Sequence, residues 1–209
     1  LDPDKCNATH EKTCNDSEIV FVCVPTPMRV DGSCDTRILE NAINEVHLAC
    51  KPKGIFPIIV IKSTVPPGTT KRINEKYNDM AVLFSPEFLT EANSFKDFEN
   101  QSRIIIGSHE DTKEEALKIK KMFRNAFLPL FTEIVIVDSK EAEMCKYFIN
   151  CFLATKVTFA NQMFQICLDN DIDFKKVVNM SLLDKRIGKS HLSVPGPDGD
   201  LGFGGHCFP

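Results

Sequence analysis

The sequence ends in a run of residues that surrounds one cysteine with glycine, GFGGHCFP at 202–209. Glycine lets the backbone pass close to a ligand and present its amide groups without obstructing side chains. A cysteine thiolate is a strong nucleophile near neutral pH and adds to carbonyl carbon atoms. Cys207 is therefore a candidate nucleophile, with a structural cysteine in a loop as the alternative. A metal site with His206 and His191 is not expected, because these histidines are not spaced on a regular element.

Two carboxylates follow a short apolar run, in SPEFLTEANSFKDF at 85–98. Glu87 and Glu91 are four residues apart, so a helical turn would place both on one side. Paired carboxylates near a cleft can polarise water or bind sugar hydroxyls. The alternative is a solvated helix start, where acidic residues interact favourably with the helix dipole.

Hydroxyl side chains follow two other apolar runs. Ser63 and Thr64 come directly after PIIVIK, within KSTVPPGTT at 62–70, and Thr26 follows IVFVCV within CVPTP. Ligands of open α/β sheets lie at the carboxyl ends of the strands, and a Pro-Pro-Gly turn fixes the backbone that follows Thr64. These hydroxyls can bind a cofactor or a water molecule there, or they can be purely structural.

A lysine and an asparagine lie in a largely apolar helical pattern further along the chain. Lys146 and Asn150 are at positions i and i+4, so they share one helix face. The lysine either extends to solvent along its apolar stem or carries a desolvated charge that can stabilise negative charge in a site.

The composition excludes several classes of protein. With 43% hydrophobic and 26% charged residues, the 209-residue chain has the composition of an ordinary globular protein. A net charge of −4 and the lack of a long basic run give no reason to expect nucleic-acid binding. Nine cysteines without a CxxC pair indicate a reducing, cytoplasmic location. Residues 147–168 could span a bilayer by length, but their scattered polar side chains predict a buried helix and no membrane insertion.

Short runs rich in valine and isoleucine alternate with helical patterns. Continuous apolar strands are typical of parallel sheets covered on both faces, so we expect an α/β fold with a doubly wound, Rossmann-like parallel sheet. A long helix and a helical dimerisation region should follow it. Thr112 with Glu115, and Asp138 with Glu141, match the capping signature of helix starts. The predicted strands are 19–24, 57–62, 81–84, 103–107 and 133–137; the predicted helices are 35–50, 68–77, 112–123 and about 139–170, with an irregular segment after 84.

Three regions follow from this pattern. Residues 1–138 should form a Rossmann-like domain without its first strand and G-x-G-x-x-G loop, 139–183 the long helix and dimerisation helices, and 184–209 a loop rich in glycine and proline. No second domain follows Pro209. We therefore expect this sequence to be incomplete at both ends.

Five motifs together resemble one known family: CVPTP, KSTVPPGTT, SPEFLTEA, AEMCKYFIN and RIGKSHLSVPGPDGDLGFGGHCFP. In this order and at these spacings they are similar to the UDP-glucose/GDP-mannose dehydrogenase family, over essentially the whole chain. The resemblance implies oxidation of a sugar primary alcohol to a carboxylate with two NAD⁺ in succession. The implied reaction converts UDP-glucose to UDP-glucuronate.

The resemblance also implies residue roles. Cys207 would capture the aldehyde intermediate as a thiohemiacetal, which is oxidised to a thioester and hydrolysed. Thr64 and Glu87 match positions that bind and activate water, and Lys146 and Asn150 match the pair that stabilises the oxyanion and binds the sugar. The implied cofactor contacts are Asp2, Thr26, Ser63, Thr64 and Glu91; the implied nucleotide-sugar contacts are Glu87, Phe88, Leu89, Lys146, Asn150, Gly202, Phe203 and Gly204. Arg186 matches an arginine that reaches the neighbouring subunit's site, which implies a homodimer built on the long helix.

Other readings stay open. The same chemistry on UDP-N-acetylmannosamine or GDP-mannose is one, since VPGPDG and the FP after the cysteine resemble the UDP-glucose branch whereas His206 resembles the N-acetylmannosamine branch. A non-catalytic dimerising or nucleotide-binding module is another, and a cysteine hydrolase of unrelated fold is a third. The 209 residues alone are not expected to form NADH, because a Lys-Asp pair and a second nucleotide-binding-like domain are expected beyond Pro209.

Overall fold

The computed structural model describes residues 14, 16–89, 93–126, 132–196 and 199–203. The chain divides into two compact units, residues 1–146 and 147–209. The boundary between them lies within the longest helix.

The first unit is built on a five-stranded sheet with the strands in sequence order. β1, β2 and β3 are mutually parallel, and β4 is parallel to β5. Every predicted strand is confirmed, with small differences at the ends. The bounds are β1 Ile19–Val22, β2 Ile58–Ile61, β3 Val82–Phe84, β4 Arg103–Ser108 and β5 Glu133–Asp138.

One strand pair departs from the expected parallel arrangement. β3 and β4 are antiparallel, paired through Phe84 and Gly107. A parallel pair needs a crossover element that packs on the sheet. Among the residues that the structure describes between β3 and β4, the only α-helix is α3, Ser94–Glu99, a six-residue helix with no buried residue. The sheet is therefore mostly, not wholly, parallel.

Apolar residues cover both faces of the sheet, as a doubly wound fold requires. In β2, Ile59 and Ile61 join one core cluster while Val60 joins the other, because neighbouring side chains of a strand point to opposite faces. α1, Arg37–Cys50, covers the first face with Leu39 and Ile43. α4, Lys113–Asn125, covers the second face with Ala116, Ile119 and Phe123, spaced three and four residues apart. The short α2, Thr69–Lys76, contributes Ile73 to the first core cluster.

The two predicted capping boxes have different outcomes. At the start of α5, Ser139–Asp169, the Lys140 N–H donates to Asp138 Oδ1 (2.9 Å) and the Asp138 N–H donates to Glu141 Oε2 (3.1 Å), which confirms that signature. At Thr112 the helix begins as predicted, but the threonine side chain does not make the predicted capping hydrogen bond. Its Oγ1 accepts from the His109 N–H (2.9 Å), because a 3₁₀ turn at Glu110–Thr112 precedes α4.

The second unit contains the remainder of α5 and α6, Phe174–Ser181. The rings of Phe164 and Phe174 pack edge to face with centroids 5.6 Å apart, which holds α6 against α5. Beyond residue 184 the described residues form no helix or strand, as predicted. Within the described parts of the chain, no helix combines the length and the apolar character needed to span a membrane.

Candidate active site

The loops that follow β1 and β2 are joined by a serine at the carboxyl edge of the sheet. Ser63 Oγ donates to the Val24 carbonyl (2.6 Å) and accepts from the Val24 N–H (2.9 Å). The side chain is buried, so both bonds are shielded from water. Ser63 thus holds the loop after β1 in place, while its predicted contact with a cofactor stays a prediction.

The two threonines predicted at this edge also come together. Thr26 Oγ1 donates to the Thr64 carbonyl (2.7 Å). The loop that carries Thr26 is folded back by Asp35, which accepts from Arg37 Nε (2.8 Å) and Arg29 Nη2 (3.1 Å). The guanidinium groups of Arg37 and Arg29 hold the pKa of the Asp35 carboxyl well below its usual range.

The central contact of the site joins Glu87, in the turn after β3, to Lys146 of α5. Lys146 Nζ donates to the Glu87 carbonyl oxygen (2.6 Å) and to Glu87 Oε1 (3.1 Å). Glu87 Oε2 accepts from the Leu89 N–H (2.7 Å), so both carboxylate oxygens have fixed partners. The Lys146 side chain is only 6% exposed and the Glu87 side chain 34%. Lys146 is therefore enclosed in the protein, and the alternative of a lysine extended to solvent is wrong.

The Phe88 ring lies close to two cations. Its ring centroid is 5.3 Å from Lys146 Nζ and 4.5 Å from the guanidinium carbon of Arg103. The negative face of an aromatic ring attracts cations at these distances. Phe88 therefore helps to hold Lys146 beside Glu87.

Glu143 is a residue of this region that sequence reasoning missed. It is fully buried, and its carboxylate accepts from the Thr70 N–H (2.8 Å), from Thr70 Oγ1 (2.6 Å) and from the Gly68 N–H. These donors lie at the start of α2, where unpaired N–H groups favour an anion. Gly68 has φ +96°, a left-handed conformation that favours glycine. The sequence feature that could have pointed to Glu143 is a glutamate among apolar positions of the helical pattern.

Lys62 is the second missed residue. It directly follows β2, and its Nζ donates to the Pro86 carbonyl (3.3 Å) and to Ser85 Oγ (3.4 Å). Burial lowers the pKa of Lys62 to about 8, against the opposing effect of Cys23 and Glu87. The sequence feature that could have pointed to Lys62 is its position at the end of a continuous apolar run. This position places a charge at the carboxyl edge of the sheet.

A close backbone approach sets the position of α5. A Cβ atom added to Gly107 of β4 would lie 2.8 Å from Ala142 Cβ and 3.0 Å from Ser139 Cα. No side chain larger than hydrogen fits there without displacing the helix. Gly107 thus lets the first turns of α5, and with them Glu143 and Lys146, lie directly on the sheet.

Several predicted site residues belong to the second unit. Asn150 is half-buried on α5, and Phe203 is exposed. The Gly202 N–H donates to Asn161 Oδ1 (3.1 Å), and the exposed Arg186 binds Asp184, Nη2 to Oδ2 at 2.6 Å. The predicted residues Asp2, Glu91, Gly204 and Cys207 lie outside the described residues.

The described part of the chain contains no group of three or more histidine, cysteine, aspartate or glutamate residues arranged to bind a metal ion. The site that it does contain consists of hydroxyls, backbone groups and one lysine–carboxylate pair at the carboxyl edge of parallel strands. That edge is where ligands bind in open α/β sheets. The fold and site place the protein in the class of open α/β proteins, which bind their ligands at this edge of the sheet.

Comparison with known proteins gives the family. Residues 4–126 match the NAD binding domain of the UDP-glucose/GDP-mannose dehydrogenase family, and residues 140–209 match its central domain. The chain belongs to the UDP-glucose/GDP-mannose dehydrogenase family, whose members are NAD-dependent nucleotide-sugar dehydrogenases. NAD is accordingly the cofactor of the first of these domains.

Individual relatives agree with this assignment. UDP-glucose 6-dehydrogenase of Rickettsia bellii is 37% identical over 98% of this chain and 46% of its own length. The structure of a UDP-glucose dehydrogenase from Pyrobaculum islandicum has a TM-score of 0.82 and 33% identity, covering 96% of this chain and 45% of that one. A GDP-mannose dehydrogenase from Pseudomonas aeruginosa has a TM-score of 0.74 and 27% identity, covering 88% of this chain and 44% of that one. The chain thus spans less than half the length of each of these three relatives.

Proposed function

We propose that this chain takes part in the NAD-dependent oxidation of UDP-glucose to UDP-glucuronate, in two hydride transfers through a thiohemiacetal and a thioester at Cys207. The observation that carries the proposal is the buried Lys146 ammonium group bound to Glu87 at the carboxyl edge of the sheet. The name of the Rickettsia bellii relative, UDP-glucose 6-dehydrogenase, supports this choice of sugar.

The lysine–carboxylate pair supplies charge and proton transfer. A desolvated ammonium group stabilises negative charge that develops on a substrate oxygen, because little water screens the interaction. Glu87 is oriented by Lys146 and by the Leu89 N–H, and the exposed third of its side chain can accept a hydrogen bond from water. Lys146 would stabilise the oxyanion at the sugar C6, with Asn150 as its proposed partner, and Glu87 with Thr64 would bind and activate the hydrolytic water.

The residues at the carboxyl edge fit the nicotinamide cofactor. Thr26, Ser63 and Thr64 lie on two loops joined by hydrogen bonds, and the hydroxyl and backbone groups of such loops can bind a carboxamide or a ribose. When bound there, NAD⁺ would supply the hydride acceptor that each of the two oxidation steps needs. Asp2 and Glu91 are the other proposed cofactor contacts.

Cys207 supplies the covalent step. Its thiolate adds to the C6 aldehyde carbon, and the carbonyl oxygen becomes the thiohemiacetal oxygen. After loss of the second hydride the sugar is bound as a thioester. Water then adds to the thioester carbon, the C–S bond breaks, and the thiol and the carboxylate are released.

The second unit presents an apolar surface that supports a homodimer. The Phe148 and Phe152 side chains are 70% and 58% exposed, and their rings stack with centroids 6.5 Å apart. Large exposed apolar patches are typical of protein–protein interfaces. In such a dimer Arg186 would reach the partner's site. The seven cysteines in the described residues are free thiols, which supports the proposed cytoplasmic location.

The proposal is tested by assaying the complete protein with NAD⁺ and each of three sugars: UDP-glucose, UDP-N-acetylmannosamine and GDP-mannose. We expect two NADH per UDP-glucose and a much lower kcat/KM for the other two. Cys207→Ser should stop uronate formation. A higher kcat/KM for GDP-mannose, with NADH still formed, would keep the family chemistry and overturn the choice of sugar.

A further inference from the structure

Lys62 is a second lysine that contacts the turn carrying Glu87. Its backbone N–H donates to the Val22 carbonyl (2.9 Å), which continues the β1–β2 pairing and fixes where the side chain begins. From there Nζ reaches the Pro86 carbonyl (3.3 Å) and Ser85 Oγ (3.4 Å). The side chain therefore links the end of β2 to the first residues after β3.

Lys62 and Lys146 bind successive carbonyl groups of this turn. Lys62 approaches the Pro86 oxygen, while Lys146 binds the Glu87 oxygen at 2.6 Å. Lys62 directly follows β2 and Lys146 lies on α5, so the turn is held from two parts of the first unit. Hydrogen bonds from charged donors are about twice as strong as those between neutral groups.

The charged and titratable groups around Lys62 come from three elements. Cys23 follows β1, Glu87 lies in the turn itself, and Lys146 is on α5. Burial raises the pKa of the Cys23 thiol. Burial lowers the pKa of Lys62 to about 8, Cys23 and Glu87 oppose that shift, and Lys146 adds to it. Lys62 thus changes its protonation state just above neutral pH.

We propose that Lys62 is a positioning residue for Glu87: its ammonium group holds the Pro86 carbonyl, and loss of that charge loosens the 85–89 turn. The effect on the turn is independent of any substrate. The effect on catalysis rests on the proposed function, because it assumes that Glu87 acts on water there.

The variants Lys62→Met and Lys62→Arg test the role of the charge. Methionine keeps much of the stem without the charge, whereas arginine keeps the charge. Lys71→Met is a matched control, since Lys71 is a partly exposed lysine of α2 whose partner is Glu75. Lys62→Met removes the donor to the Pro86 carbonyl and to Ser85 Oγ, so its free energy of unfolding is measured beside that of Lys71→Met.

The first measurement is hydrogen exchange at the Leu89 amide, which donates to Glu87 Oε2. Expressed as a protection factor in the complete protein at pH 7, exchange should be about tenfold faster in Lys62→Met than in the unaltered protein. Lys62→Arg and Lys71→Met should resemble the unaltered protein. In the unaltered protein, protection should fall as pH rises through about 8. This pH dependence of Leu89 protection in the unaltered protein tests the proposal even if Lys62→Met fails to fold.

The second measurement is the pH dependence of kcat with NAD⁺ and the best nucleotide sugar. Lys62→Met should lower kcat about tenfold at pH 7 and leave the KM for NAD⁺ nearly unchanged. The ratio of the kcat of the unaltered protein to that of Lys62→Met should decline towards one as pH rises through about 8.

The outcomes separate the two hypotheses. If Leu89 protection in Lys62→Met equals that of the unaltered protein at pH 7, the positioning role is overturned even when the sugar is oxidised. If protection falls as expected and no nucleotide sugar is oxidised, the positioning role holds and the proposed function fails.

Discussion

Glu143 and Lys146 lie one helical turn apart on α5 and bind two different loops of the first unit. Glu143 accepts hydrogen bonds from Gly68 and Thr70, after β2, whereas Lys146 binds Glu87, after β3. Because residues three apart on a helix are neighbours, one turn of α5 sets the spacing of both loops. Glu143 therefore helps to fix the position of Lys146, because both side chains lie on the same turn of α5.

Glu143→Gln should destabilise the first unit. The glutamine NH₂ group would face N–H and hydroxyl donors, so at least one buried donor would lose its acceptor, at a cost of about 1–3 kcal/mol. Urea unfolding would measure the loss, with the exposed Glu114→Gln as control. Equal free energies of unfolding for the two variants would contradict the structural role of Glu143.

Lys146→Met should reduce turnover far more than stability. It removes the enclosed charge beside Glu87, and losing one such electrostatic group lowers kcat by about 10²–10³-fold in other enzymes. NADH formation by the complete protein would be compared with that of Lys121→Met, an exposed lysine of α4. A kcat within a factor of about two of the control would remove Lys146 from the mechanism.

Gly107→Ala should displace α5. The added methyl group would lie 2.8 Å from Ala142 Cβ, and overpacking of this kind costs about 1–3 kcal/mol. Thermal unfolding should show a lower Tm, with a loss of kcat because Lys146 moves with the helix. Gly188→Ala, where an added Cβ meets nothing within 4 Å, is the control and should change neither quantity.

Asp35→Asn should have a pH-dependent effect on stability. The folded-state pKa of Asp35 lies below its unfolded value, so its carboxylate contributes stability above the unfolded pKa. That contribution is lost as pH falls through the folded pKa. The free-energy difference between Asp35→Asn and the unaltered protein should therefore be largest at pH 7 and shrink in acid. A difference that stays constant with pH would show that the ion pairs with Arg37 and Arg29 are not its cause.

Lys156→Met should loosen the loop that leads to Cys207. Within the second unit, Lys156 Nζ donates to the carbonyls of Gly188 (3.0 Å) and Ser190 (2.6 Å). Removing both hydrogen bonds should speed amide hydrogen exchange across residues 188–203. With the nucleotide sugar bound to the complete protein, it should also lower the rate at which Cys207 is alkylated. The affinity for NAD⁺ should not change, because the proposed cofactor contacts lie in the first unit. The exposed Lys176→Met serves as control.

The strands and most helices could be predicted because local sequence decides them. The run IIVI of β2 is apolar at every position since both faces of the sheet are covered, and α4 shows its buried face at helical spacing. The partners of Lys62 and Glu143 could not be predicted, because each contact joins segments far apart in sequence. The direction of β4 was missed for the same reason: its own residues form a strand in either orientation.

The reversal at β4 has a mechanical consequence for the site. Phe84, the last residue of β3, pairs with Gly107, and Gly107 lies opposite Val137, the last but one residue of β5. The chain therefore leaves β5 level with the carboxyl end of β3, and α5 begins beside Gly107, where an added Cβ would lie 3.0 Å from Ser139 Cα. From Ser139 to Lys146 the helix advances about 10 Å, which brings the ammonium group to Glu87 in the turn after β3. One inverted strand pair thus delivers the start of the long helix next to the turn that its lysine binds.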